Sequence, residues 1–146
     1  MSGRLCIVMA CTDMQEADLV GRRLLELNSA CLVTYRRAED LMYNLPTGRV
    51  ALFILATADT PAVIGRTLKW LRHRWPRSPI TVVGDVGGGE QEIAARQGGA
   101  YYLTRPVSPQ QWDGILAHAL GDARSKQETS RERLTKDSRT VPRNGA

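Results

Sequence analysis

Val50-Ala51-Leu52-Phe53-Ile54-Leu55 is an unbroken apolar run, followed by Ala56-Thr57-Ala58 with no carboxylate before Asp59. A run without polar alternation describes a strand covered on both faces, as in a parallel sheet flanked by helices. Leu5-Cys6-Ile7-Val8-Met9 repeats the pattern near the start of the chain. Ala30–Tyr35, Ile80–Val83 and Tyr101–Leu103 are shorter strand candidates in the same mould.

Helical spacing fills the intervals between these runs. Val20, Leu24 and Leu27 mark one apolar stripe within residues 17–27, and Ile64, Leu68 and Leu71 mark another. Thr60-Pro61 supplies a capping hydroxyl and a proline at the first helical position, where no intrahelical bond is lost. Ala38–Leu45 and Glu90–Gln97 are short helix candidates, the first interrupted by Pro46. Ser108-Pro109 opens a last helix, with Gln111 placed for a reciprocal cap and Trp112, Ile115, Leu116 and Ala119 spaced for packing. Strands alternating with helices predict a three-layer α/β/α sandwich around a parallel sheet.

The 146 residues suit one domain, with 42% hydrophobic and 24% charged residues. No apolar stretch approaches the roughly 20 residues that span a bilayer, and the start lacks the pattern of a signal peptide. A cytoplasmic protein without membrane association is expected. Cys6, Cys11 and Cys31 are odd in number and lack CxxC spacing, which favours free thiols. Residues 1–121 carry thirteen basic and eleven acidic side chains, and residues 122–146 carry seven and four. The net charge of +5 therefore divides into +2 on the body and +3 on the tail. The expected organisation is a folded domain over 1–121 and a basic, disordered tail over 122–146.

Gly98-Gly99-Ala100-Tyr101-Tyr102-Leu103-Thr104-Arg105-Pro106 makes the pattern more specific. With the order of the five β/α units over residues 4–120, it resembles response-regulator receiver domains. Their fifth strand follows a Gly-Ala pair and ends in an aromatic residue and Lys-Pro. The resemblance implies a flavodoxin-like sheet of order 2-1-3-4-5 and a cis peptide before Pro106. It also implies a reaction centre at the carboxyl edge of the sheet, and there the sequence departs from the pattern. The acidic pair that holds Mg²⁺ in typical receivers maps to the window Met9-Ala10-Cys11. The phosphoryl-accepting Asp maps to Ala56, the hydroxyl residue ending strand four maps to Gly84, and the Lys maps to Arg105. The aromatic switch position retains Tyr102.

Phosphoryl transfer to a side chain requires a nucleophile, and Mg²⁺ prefers oxygen ligands. Neither comes from Ala56, Met9, Ala10 or Cys11, so no enzyme activity, metal or cofactor is expected. Asp13, Asp59 and Asp85 follow strands one, three and four. With Arg105 they form a possible ligand or cation site, unless they cap helices, sit in solvated turns or join a salt-bridge network. Tyr102 and Trp112 are candidate interface residues, each with a packing alternative. Gly84-Asp85-Val86-Gly87-Gly88-Gly89 lacks P-loop spacing and predicts a reshaped loop before a helix. Lys69-Trp70-Leu71-Arg72-His73-Arg74-Trp75-Pro76-Arg77 is a basic, aromatic segment that suits either an acidic partner or a solvated helix face. The leading expectation is an atypical receiver acting as a phosphorylation-independent interaction or dimerisation module. Its partner would be another signalling protein or a second copy. Small-ligand sensing and weak nucleic-acid binding through the basic helix and tail are the alternatives.

Overall fold

Every strand pairing in the sheet is parallel, and the strand order is β2-β1-β3-β4-β5. The strands are β1 (Leu5–Cys11), β2 (Cys31–Tyr35), β3 (Arg49–Ala56), β4 (Ile80–Gly84) and β5 (Tyr101–Thr104). The helices between them are α1 (Met14–Leu27), α2 (Asp40–Tyr43), α3 (Pro61–Arg74) and α4 (Gly89–Gln97). A further helix, α5, covers residues 109–121. This computed structural model describes residues 5–27, 30–121 and 123; the tail expected over 122–146 lies outside the described residues apart from Ala123. Among the described residues no helix is long and apolar enough to cross a membrane.

The sheet separates two cores, as expected for strands apolar on both faces. Cys6, Val8, Ala10, Phe53, Leu55, Ile80 and Val82 share one core with Ile64, Leu68 and Leu71 of α3. Ile7, Met9, Cys11, Leu52, Ile54 and Ala56 share the other with Val20 and Leu24 of α1 and with Trp112 and Leu116 of α5. Trp112 is 1% exposed, so the interface alternative for it is corrected: its ring fills the core beneath α5.

A register shift in β3 has a consequence for the site. Cys6 pairs with Val50 but Ile7 pairs with Leu52, so Ala51 is an extra residue at that point. Both Ala51 and Leu52 then belong to the α1/α5 core, and alternation resumes from Phe53. Because strand side chains alternate strictly, one inserted residue exchanges the faces of everything that follows. The shift places Ala56 opposite Cys11, on the α1/α5 side. A continuous apolar run conceals such an insertion.

Several boundaries differ from the sequence expectation for local reasons. Strands β1 and β3 run on to Cys11 and Ala56, since their ladder continues to that pair. Helix α1 begins at Met14, three residues before Ala17, because the Asp13 carboxylate accepts the Gln15 N–H at 3.0 Å. Helix α2 is only Asp40–Tyr43. Asn44 leaves the helical region there, its carbonyl accepts the Tyr35 hydroxyl at 2.6 Å, and Pro46 disfavours helix at Leu45. The caps read from sequence are present. Thr60 Oγ1 accepts the Val63 N–H, while the Ser108 and Gln111 side chains each accept the other's N–H at 3.1 and 2.9 Å.

The basic segment at the end of α3 packs its aromatic rings inward. Trp75 lies 4.9 Å from Phe53 and 5.8 Å from Trp70, centroid to centroid. Arg72 donates to the carbonyls of Ser78 and Gly99, joining the α3 exit to the turn before β5. Lys69, His73, Arg74 and Arg77 remain exposed, which is the solvated-face arrangement.

Cys6, Cys11 and Cys31 are free. Burial pushes the Cys6 and Cys11 thiols from an ordinary 9.0 up to about 11, with the neighbouring Cys31 adding to the rise at Cys6. Between these values the unfolded chain has released protons that the folded chain still holds. The contribution of these thiols to stability should therefore be constant well below pH 9.0 and fall as pH rises toward about 11. Urea denaturation from pH 8 to 10.5 would measure the slope, and a Cys6→Ala, Cys11→Ala variant should flatten it; an unchanged slope would rule the thiols out.

Candidate functional site

Parallel α/β sheets present their loops at the carboxyl edge, where ligands generally bind. Cys11, Ala56 and Gly84 end three adjacent strands there, and Arg105 follows the fourth. The Arg105 N–H donates to the Gly84 carbonyl at 2.8 Å, which extends the β4–β5 ladder by one bond. The Arg105–Pro106 peptide is cis, as the receiver resemblance implied.

The Arg105 side chain turns back across the strand ends. Its Nε and Nη2 donate to the two Glu16 carboxylate oxygens at 3.1 and 3.0 Å. Nη2 also donates to the Ala56 carbonyl at 2.9 Å, and Nη1 to Asp85 Oδ1 at 3.4 Å. One guanidinium thus joins the first turn of α1, the end of β3 and the loop after β4. The planar fork suits this task, since it can engage a carboxylate through two parallel bonds and still donate elsewhere. Glu16 and Arg105 side chains are 12% and 24% exposed, whereas Asp85 is 72% exposed and contributes at the rim. Hydrogen bonds that Arg105 donates to the Glu16 carboxylate hold the guanidinium pKa above its ordinary value despite burial, so it remains a cation.

Glu16 was not among the residues singled out from sequence. Its signal was an acidic residue in the first turn of a helix that starts at the carboxyl edge. Starting α1 at Ala17 left Glu16 in a loop. The Cys11 thiol donates to the Asp13 carbonyl at 3.0 Å and lies 3.5 Å from Glu16 Oε1, which closes the site beneath the ion pair. Met9 and Ala10 are fully buried in the two cores.

The three aspartates do not converge. Asp13 caps α1, and only Asp85 reaches Arg105. Asp59 accepts the Thr57 hydroxyl, and its carbonyl accepts Gln91 Nε2 at 2.7 Å, fastening α4 to the β3–α3 loop. Among the described residues no group of three or more His, Cys, Asp or Glu side chains could hold a metal ion. The donor set does not fit the Mg²⁺ of typical receivers: Ala56 and Gly84 bring no side-chain oxygen, and Glu16 is engaged by a guanidinium.

Gly84 has a second role. A Cβ built on it would lie 2.0 Å from the Tyr102 hydroxyl oxygen and 2.8 Å from Cζ. The phenol end of Tyr102 therefore occupies the volume a side chain at position 84 would take. The ring packs against the α3-side core, and its buried hydroxyl has no hydrogen-bond partner among the described residues. Burial, then Glu92 and Asp85, push the Tyr102 phenol up, so it stays neutral. Tyr101, its neighbour, is 64% exposed on the other side of the strand.

No family model matches the chain, and no curated protein matches it. Solved structures do match. An uncharacterized protein from Neptuniibacter caesariensis superposes with a TM-score of 0.70 at 16% identity, over 86% of this chain and 93% of that one. The signal receiver domain of an HD domain-containing protein from Pseudomonas fluorescens gives 0.65 at 20%, over 88% and 94%. A CheY-like protein, tadZ, from Pseudomonas aeruginosa gives 0.65 at 16%, over 80% and 99%. The fold is that of CheY-like receiver domains.

Two variants examine this geometry. Glu16→Gln keeps the shape but leaves the guanidinium without its counter-charge, and should cost about 1.5–3 kcal/mol in urea denaturation. Adding Arg105→Met should cost less than the sum of the single changes, and strict additivity would show that the pair is not coupled. Gly84→Ala should cost about 1–3 kcal/mol by crowding Tyr102. Most of that loss should return in Gly84→Ala, Tyr102→Leu; no recovery would mean that the two positions do not share one volume.

Proposed function

We propose that this chain is an atypical receiver module that acts through protein contact without being phosphorylated at the usual position. The observation that carries the reading is the Arg105 guanidinium, bonded to Glu16, Ala56 and Asp85 where the strand ends converge. In a receiver that cycles, the group at this edge must contact a phosphoryl group that comes and goes. Here the cation already has a fixed counter-charge, so the edge holds one arrangement without an added ligand. Tyr102 supports the same reading, because Gly84 gives its ring a permanent seat.

Contact with a partner would then rest on surface rather than on state. Val86 at 81% exposure, Ile93 at 57% and Tyr101 at 64% offer apolar surface on the Gly-rich loop, α4 and β5. Tyr102 contributes by supporting the β5 backbone from inside. Another signalling protein or a second copy of the chain is the partner class this surface suits, and no membrane role enters the reading.

Treatment with acetyl phosphate and Mg²⁺ decides the matter. The intact mass should stay unchanged, and sedimentation should show the same oligomeric state before and after. A stoichiometric, acid-labile gain of one phosphoryl group would overturn the reading.

A further inference from the structure

Cys6 of β1 and Cys31 of β2 are register partners in adjacent parallel strands. Such partners project from the same face of a sheet, and both residues pack in the α3-side core. Their Cα atoms are separated by roughly the 4.8 Å strand spacing, inside the range of about 4.4–6.8 Å that a disulfide spans. Cys31 raises the Cys6 thiol both by charge and by hydrogen bonding, so the two sulfurs lie within reach of one another. The next pair on this face is Val8 with Val33, which shows that branched apolar side chains fill the layer without sulfur. The two thiols differ in access. Cys6 is 1% exposed, whereas Cys31 is half-buried at the first position of β2, the edge strand beyond β1. The third thiol is remote from both: Cys11 lies about 16 Å further along β1 and in the α1/α5 core on the other side of the sheet.

We propose that Cys6 and Cys31 form a thiol-oxidation site, which hydrogen peroxide closes to an intramolecular disulfide. Cys31, the accessible sulfur, attacks the peroxide as its thiolate. The O–O bond breaks, one water leaves, and Cys31 becomes a sulfenic acid. The Cys6 sulfur then attacks the Cys31 sulfur, the S–O bond breaks, and the hydroxyl leaves as a second water with the Cys6 proton. The two thiols together lose two electrons, and the peroxide gains them. Burial does not bar Cys6 from this role, because the resolving thiol never meets the oxidant. Its protonation slows the attack, while the paired register holds it at high effective concentration. Closing the bond draws the two strands slightly together, a shift open to an edge strand paired on one side. The disulfide ties β2 to β1 around α1, and so fixes one edge of the sheet. The site lies toward the start of β1, away from the Arg105 cluster, and stands whether or not the chain is phosphorylated.

The test treats the reduced full chain with near-stoichiometric hydrogen peroxide, then alkylates it in denaturant and maps the peptides. The product should be lighter by two hydrogen atoms, with Cys6 linked to Cys31 and only Cys11 alkylated. Dithiothreitol should return all three thiols. Cys11→Ala should leave the bridge intact. Cys31→Ser, at the half-buried position, should abolish it and leave Cys6 a thiol. Cys6→Ala should let Cys31 run on to sulfinic acid, and if that variant does not fold, the peptide map of the unmodified chain decides alone. The proposal is overturned if Cys31 accumulates as sulfenic or sulfinic acid beside a free Cys6 in the unmodified chain. It is equally overturned if Cys31 links two chains, if Cys11 enters the bridge, or if all three thiols survive.

Discussion

The carboxyl edge depends on a single guanidinium. Without Arg105, three strand ends and a helix start would meet with the Glu16 carboxylate, the Ala56 carbonyl and the Asp85 carboxylate all turned toward one place. Two negative charges and a carbonyl dipole converging at the edge of a low-dielectric sheet repel one another and require a cation. Arg105 is that cation, and it is part of the chain. Its backbone is held by Gly84 and its side chain by Glu16, so its position is determined from both ends. The central ion pair of the site, Arg105 with Glu16, is thereby intramolecular.

The substitutions around this cation are consistent with one another. Alanine at 56 leaves room above its own carbonyl for the guanidinium to donate to it. Glycine at 84 removes a side chain between the site and β5, and Tyr102 takes the volume. Cys11 places a neutral thiol under the Glu16 carboxylate, since burial keeps that thiol protonated at ordinary pH. A carboxylate in any of these places would add a third negative charge beside Glu16 and Asp85, all facing one guanidinium. Packing and charge therefore favour the same residue types, as expected where neighbouring positions share one volume and one counter-ion.

Most of the scaffold was legible because it rests on periodicity. The apolar runs at Leu5–Met9 and Val50–Leu55, the Thr60-Pro61 start and the Ser108/Gln111 cap are local signals, and the strand order followed from the family resemblance. The site was legible only as a set of missing groups. Ala56, Gly84 and Arg105 were found because the resemblance pointed to their positions. Glu16 was not, since its part depends on an Arg105 side chain 89 residues away crossing between strands. The displaced register at Ala51 was hidden for a similar reason: an inserted alanine in an all-apolar run leaves the composition of both faces apolar. Trp112 could be read as border or core from spacing alone, and only the placement of α5 on the sheet decides for the core.

These constraints distribute order unevenly along the strands. At the carboxyl edge, charge pairing, the Cys11 thiol and the Tyr102 ring occupy the available space, and a ligand entering there would have to displace an ion pair. At the amino edge, on the α5 side, Leu52, Ile115 and Ala119 line a cleft of about 260 Å³. Helix α5 touches both ends, because it starts beside Arg105-Pro106 and finishes over Thr81. Helix α5 is held along its length, by the Ser108/Gln111 cap and Trp112 at its start and by buried Leu116, Ala119 and Leu120 toward its finish. The two edges of the sheet are therefore tied to one another through one packed helix as well as through the strands.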